Sequence, residues 1–159
     1  MAALSREAQE PPRWFFVLCL LSLVNSAYGA ASSLINALAR REVNAGMIEE
    51  TLELIRSFDW PTGPYEEHVE SYTVNLMLNM VNVSALSFLF YCLNAIAVYL
   101  MLRQQRKGWY LYLLAQMALP FIPALLSGFN PLARMVLLLA LIWNGLWVAV
   151  YGSQVSKLP

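Results

Sequence analysis

Two apolar runs, Ser71–Leu102 and Gly108–Ala133, carry no charge, and only Arg103-Gln104-Gln105-Arg106-Lys107 stands between them. An apolar run of about 20 residues is long enough to cross the ~30 Å hydrocarbon core of a bilayer as an α-helix. In that core every backbone polar group must be bonded internally, which leaves helix as the form for a single apolar run. Two such runs joined by five polar residues predict a membrane helical hairpin, with its turn on the side that retains Lys and Arg.

The charge deficit is chain-wide. Charged residues make up 13% of the 159, where a soluble domain carries about a quarter. Two further uncharged runs, Trp14–Ala39 and Met135–Ser156, bring the number of expected spans to four. The expected fold is an all-α integral membrane protein, a four-transmembrane-helix bundle with an amphipathic helix in the loop between helices 1 and 2. In order, we expect a flexible lead (1–12), span 1 (13–39), an acidic extracytoplasmic loop (40–72) and span 2 (73–102). A basic cytoplasmic turn (103–107), a proline-kinked span 3 (108–127), span 4 (130–152) and a tail (153–159) follow. The first span is read as a retained helix rather than a cleaved signal peptide, because its uncharged run outlasts a typical signal core.

Within span 1, Asn25, Gly29, Ser33 and Ala37 recur every four residues. That spacing predicts a stripe of small and polar side chains for packing against a neighbouring helix in lipid. In the loop, Ile48, Leu52, Ile55 and Phe58 recur at helical spacing with Glu49, Glu50, Glu53 and Arg56 on other faces. This predicts an amphipathic helix over 46–58, docked through its apolar side. Glu66, Glu67, His68 and Glu70 form an acidic collar, read as a solvated loop; a lone His among carboxylates is no metal site. Span 2 is too long for the bilayer. Its Asn75, Asn79 and Asn82 share one helix face in the outer interface and could receive the loop helix or a partner. Pro120 and Pro123 each remove a backbone donor and should kink span 3. Asn130-Pro131 reads as the cap and first residue of span 4. Cys19 and Cys92 read as small packing residues.

Each span also carries one carboxamide near mid-depth. At 1.5 Å per residue from the inner boundary, Asn25 lies ~16 Å deep, Asn94 ~12 Å, and Gln116 and Asn144 ~10 Å each. An unpaired amide facing lipid is costly, so these four should turn inward and bond one another, as structural glue or as a polar pocket for a neutral head group or solute.

The chemistry missing from the spans narrows function further. No Asp, Glu, Lys, Arg or His falls inside a span core, with Arg134 at the outer edge; proton-coupled pumps usually place an ionisable group there. No zinc-protease, nucleophile-elbow or phosphate-loop motif occurs. No metal or cofactor is implied, and no basic patch interleaved with aromatics suggests nucleic acid. Catalysis is not the expected role. The leading reading is a small polytopic protein acting by binding, an accessory or assembly subunit of a larger membrane complex. Its partners would be the lipid bilayer and other membrane-protein subunits, or further copies of itself, met through the acidic loop and the span 1 stripe. The alternative is a small transporter or channel for a neutral or polar solute, and a third is a membrane enzyme with a loop-borne site. The basic turn places both termini in the cytoplasm of a multi-pass protein of the inner or plasma membrane.

Overall fold

The computed structural model describes residues 12–39, 43–57 and 64–155. Most of the expected lead, Phe58 and the last residues of the tail lie outside the described residues. Seven helices occupy almost all of the rest: α1 (Arg13–Leu38), α2 (Ala45–Ser57), α3 (Pro64–Leu78), α4 (Met80–Leu102), α5 (Arg106–Ala118), α6 (Phe121–Ser127) and α7 (Pro131–Val155). Four segments are long and apolar enough to cross a membrane: α1, α4, the α5–α6 pair and α7. Their outward faces are apolar, with Val24, Tyr28, Leu89, Leu138 and Ile142 all largely exposed, the reverse of a water-soluble helix.

The helices pack in the order α1, α4, α5, α7, with α1 on α4 the most extensive pairing. The face of α1 that is turned inward runs Phe15, Cys19, Ser22, Ser26, Gly29, Ser33, all buried or half-buried. Steps of four and three alternate, which keeps the row close to the 3.6-residue turn. The strict four-residue row read from the sequence drifts instead. Each step overshoots a full turn by about 40°, so Asn25 and Ala37 end about 120° apart. Ser33 is accordingly buried and Gly29 and Ala37 half-buried, while Asn25 is exposed. At Gly29 the fit is tight: a Cβ there would lie 2.5 Å from the Tyr91 ring. Where α1, α4, α5 and α7 meet beside the turn, Phe15, Cys19, Ala97, Val98, Met101, Tyr112, Val148 and Tyr151 form a buried cluster. Cys19 belongs to that cluster; Cys92 is half-buried, and both are free thiols.

The α4–α5 turn is held by its backbone. Gln105 N–H donates to Leu100 O at 2.9 Å and Gln104 N–H to Met101 O at 2.9 Å. These are the paired bonds of a Schellman motif, whose left-handed residue is usually glycine. Here it is Gln104, at φ 58°. Arg103 lies over the Tyr99 ring, 5.1 Å from its centroid. Gly108 then lets α5 start against α4, since a Cβ would sit 2.6 Å from Ala97 O and 2.7 Å from Met101 N.

At the opposite end the acidic collar is helical rather than a loop. Pro64 opens α3, with Glu66 and Glu67 in its first turn. Proline at the first position and carboxylates beside the positive end of the helix dipole both favour a start there. A turn at Asn79 separates α3 from α4, so the long second run is two helices. Asn75 Nδ2 donates to Ser127 O at 3.0 Å and Asn79 Nδ2 to Leu126 O at 3.1 Å. The last carbonyls of a helix lack internal donors, and these two asparagines supply them to α6. Both are half-buried and engaged by α6, while Asn82 is exposed. Asn130 caps α7 through Ala133 N–H at 2.8 Å and donates to His68 O at 3.1 Å. The amphipathic α2 lies on α3 with Ile48, Leu52 and Ile55 half-buried. Arg56 Nε bonds Glu70 Oε1 at 2.7 Å, and that bond and charge hold the guanidinium pKa above its ordinary value.

Two substitutions at the α4–α5 turn should move stability in opposite directions. Gln104→Gly relieves a left-handed side chain at some cost in unfolded-state entropy and should stabilise by about 0.5–1 kcal/mol. Gly108→Ala forces a methyl against backbone and should destabilise by about 1–3 kcal/mol. Melting temperatures of the two variants in one detergent check both signs.

Candidate functional site

The polar groups of the spans converge between α1, α4, α5 and α7. Asn94 on α4 is fully buried. Its Nδ2 donates to Ser26 Oγ at 2.7 Å, and the Ser26 hydroxyl donates onward to Ser22 O at 2.7 Å. On its other side Asn94 Oδ1 accepts a longer bond, 3.4 Å, from Gln116 Nε2. Gln116 is joined to α7 through its main chain, where Asn144 Nδ2 donates to Gln116 O at 3.0 Å.

That last bond has a cause in the sequence. In a helix the carbonyl of residue 116 would accept from the amide of residue 120, but Pro120 has no N–H. The orphaned carbonyl would be costly if left unpaired away from water. Asn144 supplies the missing donor from the neighbouring helix. Pro123 removes the corresponding donor for Leu119 O, which accepts instead from Ile122 N–H at 3.3 Å. The two prolines thus break the third span into α5 and α6 and expose backbone acceptors where other groups can use them.

Three of the four amides singled out in the sequence are therefore joined: Asn94, Gln116 and Asn144. Asn25 is not. It is exposed and makes no side-chain hydrogen bond among the described residues. Ser26 takes the inward place that Asn25 was expected to hold, because it continues the row of Cys19 and Ser22. The sequence reading missed Ser22 and Ser26 by following the wrong row of small residues.

Beside the hydrogen-bonded chain lies a cleft of about 320 Å³, with α1 and α7 as walls and α4 and α5 as floor. Leu21, Ser22 and Asn25 line one wall and Trp143, Asn144 and Trp147 the other, with Asn94, Tyr112 and Gln116 between them. A second hollow of about 300 Å³ shares Asn25, Gln116 and Asn144 with it and continues past Tyr91 to Pro120 and Pro123. The first cleft is shut at the turn end. There the Tyr151 and Ser22 hydroxyls share a 2.7 Å hydrogen bond, and Tyr151 stacks edge-on against Phe15 at 5.9 Å and Tyr112 at 4.8 Å. Toward its side the cleft is open: Leu21, Asn25 and Trp143 are exposed.

The lining offers amide and hydroxyl donors and acceptors, aromatic faces, and no carboxylate or cation. Among the described residues, no three His, Cys, Asp or Glu side chains are gathered for a metal ion. Such a site can hold a neutral molecule by hydrogen bonds. It offers no strong base or acid. No protein-family model, curated protein or solved structure matches the chain.

The link between Pro120 and Asn144 is testable by a double-mutant cycle. Asn144→Leu alone should destabilise by about 1–3 kcal/mol through the unpaired Gln116 carbonyl. With Pro120→Ala restoring a backbone donor, the same change should cost about 1 kcal/mol less. Equal costs in both backgrounds would show that Asn144 does not stand in for the missing N–H.

Proposed function

We propose that this chain is a four-span membrane protein that acts by binding, as an accessory or assembly subunit of a larger membrane complex. The observation that carries the reading is the chemistry of the polar core. Every side chain linking the spans there is a neutral amide or hydroxyl, arranged to pair with its neighbours. Such groups stabilise helix association in lipid by about 0.6–2 kcal/mol per bond and provide no proton relay.

We place the partner surface away from the Gly29, Ser33 and Ala37 stripe, because Gly29 packs against Tyr91 of α4 and Ser33 is buried. The acidic side chains are the better candidate. Glu49, Glu50 and Glu53 on α2 and Glu66 and Glu67 on α3 are exposed, on helices that Arg56 and Glu70 clamp together. A basic membrane subunit fits that face. The basic turn at 103–107 puts it on the cytoplasmic side by the positive-inside rule, and α2 and α3 on the other side. Both termini would then be cytoplasmic, in an inner or plasma membrane.

A second reading, a carrier for a neutral solute, draws on the two hollows that share Asn25, Gln116 and Asn144 beside a broken helix. Broken helices line substrate sites in many transporters.

Purification in mild detergent separates the two. The accessory reading expects a stoichiometric partner that is lost when Glu49, Glu50 and Glu53 are changed to Gln. A protein that runs alone, and that speeds glycerol entry into proteoliposomes, would support the carrier instead. Orientation is checked in intact cells: a cysteine at Thr62 should label with an impermeant reagent and one at Gln105 should not.

A further inference from the structure

The open cleft between α1 and α7 asks for an occupant, and its shape and chemistry restrict what that can be. We infer that it binds a neutral lipophilic small molecule bearing a hydroxyl or carbonyl group, which enters sideways from the bilayer and hydrogen-bonds to Asn25. The inference rests on the reading that α1 and α7 cross a membrane, and it adds a ligand to a protein otherwise proposed to bind other subunits.

Size and closure come first. About 320 Å³ is at the small end of ligand-binding cavities and holds one small molecule. A partner helix is about 10 Å across with its side chains and would have to run between α1 and α7 along their length. The Ser22–Tyr151 hydrogen bond at 2.7 Å and the Phe15–Tyr151 contact seal that path at the turn end. The cleft is therefore closed at the turn end, open at its side and continuous with the second hollow beyond Asn25 and Asn144, a shape that suits a small molecule better than a helix running the whole length of the seam.

Polarity comes next. The lining has no carboxylate, ammonium or guanidinium group to neutralise an ion, so a charged ligand would lose its hydration with no compensating partner. The amides are not all satisfied within the protein. Asn94, Gln116 and Asn144 are held by the chain of bonds described above, whereas Asn25 lies at the mouth, exposed, with no side-chain hydrogen bond among the described residues. An amide in that state in hydrocarbon is costly. A ligand hydroxyl or carbonyl would relieve it. Trp143, which is exposed at the opposite lip and stacked edge-on with Trp147 at 6.2 Å, gives the apolar body of such a molecule a flat wall.

The test uses the full chain in lipid nanodiscs and a diazirine-tagged farnesol as probe. Photolabelling should concentrate on the Leu21–Asn25 and Trp143–Trp147 segments. Excess untagged farnesol should compete it away, and farnesane, the matching hydrocarbon, should not. Asn25→Leu should lower the specific labelling about tenfold, the loss expected for one hydrogen bond. Because Asn25 bonds no other side chain or backbone group among the described residues, that variant should keep its melting temperature or raise it. Labelling spread evenly along the apolar faces of α1 and α7, equal competition by farnesane, or an unchanged yield in Asn25→Leu would each overturn the proposal. A parallel measurement isolates the underlying reading: lipids brominated at mid-chain should quench the tryptophan fluorescence, and Trp143→Phe should remove part of that quenching. Without such quenching the span assignment and the ligand site both fall; with quenching but no competed label, only the ligand site does.

Discussion

The fold depends on bonding the polar groups that its apolar helices enclose, a need met at the buried side chains described except at Gln154 Oε1. Asn94 is the junction at which that need is met. Its carboxamide gives one bond to α1 and takes one from α5, and the backbone carbonyl of Gln116 accepts the further bond from Asn144 of α7. Apolar contact is non-directional and by itself sets the register of four helices only loosely. A donor and an acceptor buried at one level set it closely, because each lost bond leaves a group stranded. The amides thus fix the register that apolar contacts leave loose, and Gly29 and Gly108 bring the backbones near enough for short side chains to reach.

The same need explains the far end of the molecule. Helix α6 is short and ends without neighbours of its own to accept its final carbonyls' demand for donors. Asn75 on α3 and Asn79 at the α3–α4 turn meet it, and Asn130 ties the start of α7 to α3 through His68 O. Three asparagines thereby join α3, α6 and α7, on the side where α2 is held to α3 by Arg56. Neighbouring amides thus supply donors to unbonded helix carbonyls in two places, at Gln116, where Pro120 lacks an N–H, and at the end of α6, where the helix simply stops.

Much of this was legible in the sequence, and the remainder was hidden for definite reasons. Uncharged runs gave the four long apolar helices, because length and charge are local properties. Pro120 marked a break, and Asn130-Pro131 marked a helix start. The layer of amides could be anticipated for Asn94, Gln116 and Asn144 by counting rise per residue, which sets depth. Counting does not set azimuth, and there the reading of Asn25 failed: one residue is a rotation of about 100°, enough to trade Asn25 for Ser26. The collar at Glu66–Glu70 was read as loop because charge was weighed above the start signal at Pro64. The cleft itself could not be foreseen, since it arises from the pairing of α1 with α4 and of α7 with α5, which leaves the first and last long helices joined only at their ends.

That junction has a consequence for how the molecule is made. Ser22 and Tyr151 are 129 residues apart, and nothing between them substitutes for their bond. As the chain leaves the ribosome, α1 can find α4 and α4 can find α5, each new helix docking on one already present. The α1–α7 seam must wait until α7 has been synthesised. Until then the hydroxyl of Ser22 and the edge of Phe15 lack their Tyr151 partner, so the nascent chain passes through a stage whose unfinished flank is the one α7 later closes. Assembly is sequential along most of the chain and concerted only at its close. A chaperone or insertase acting on this protein would have its longest opportunity at that flank.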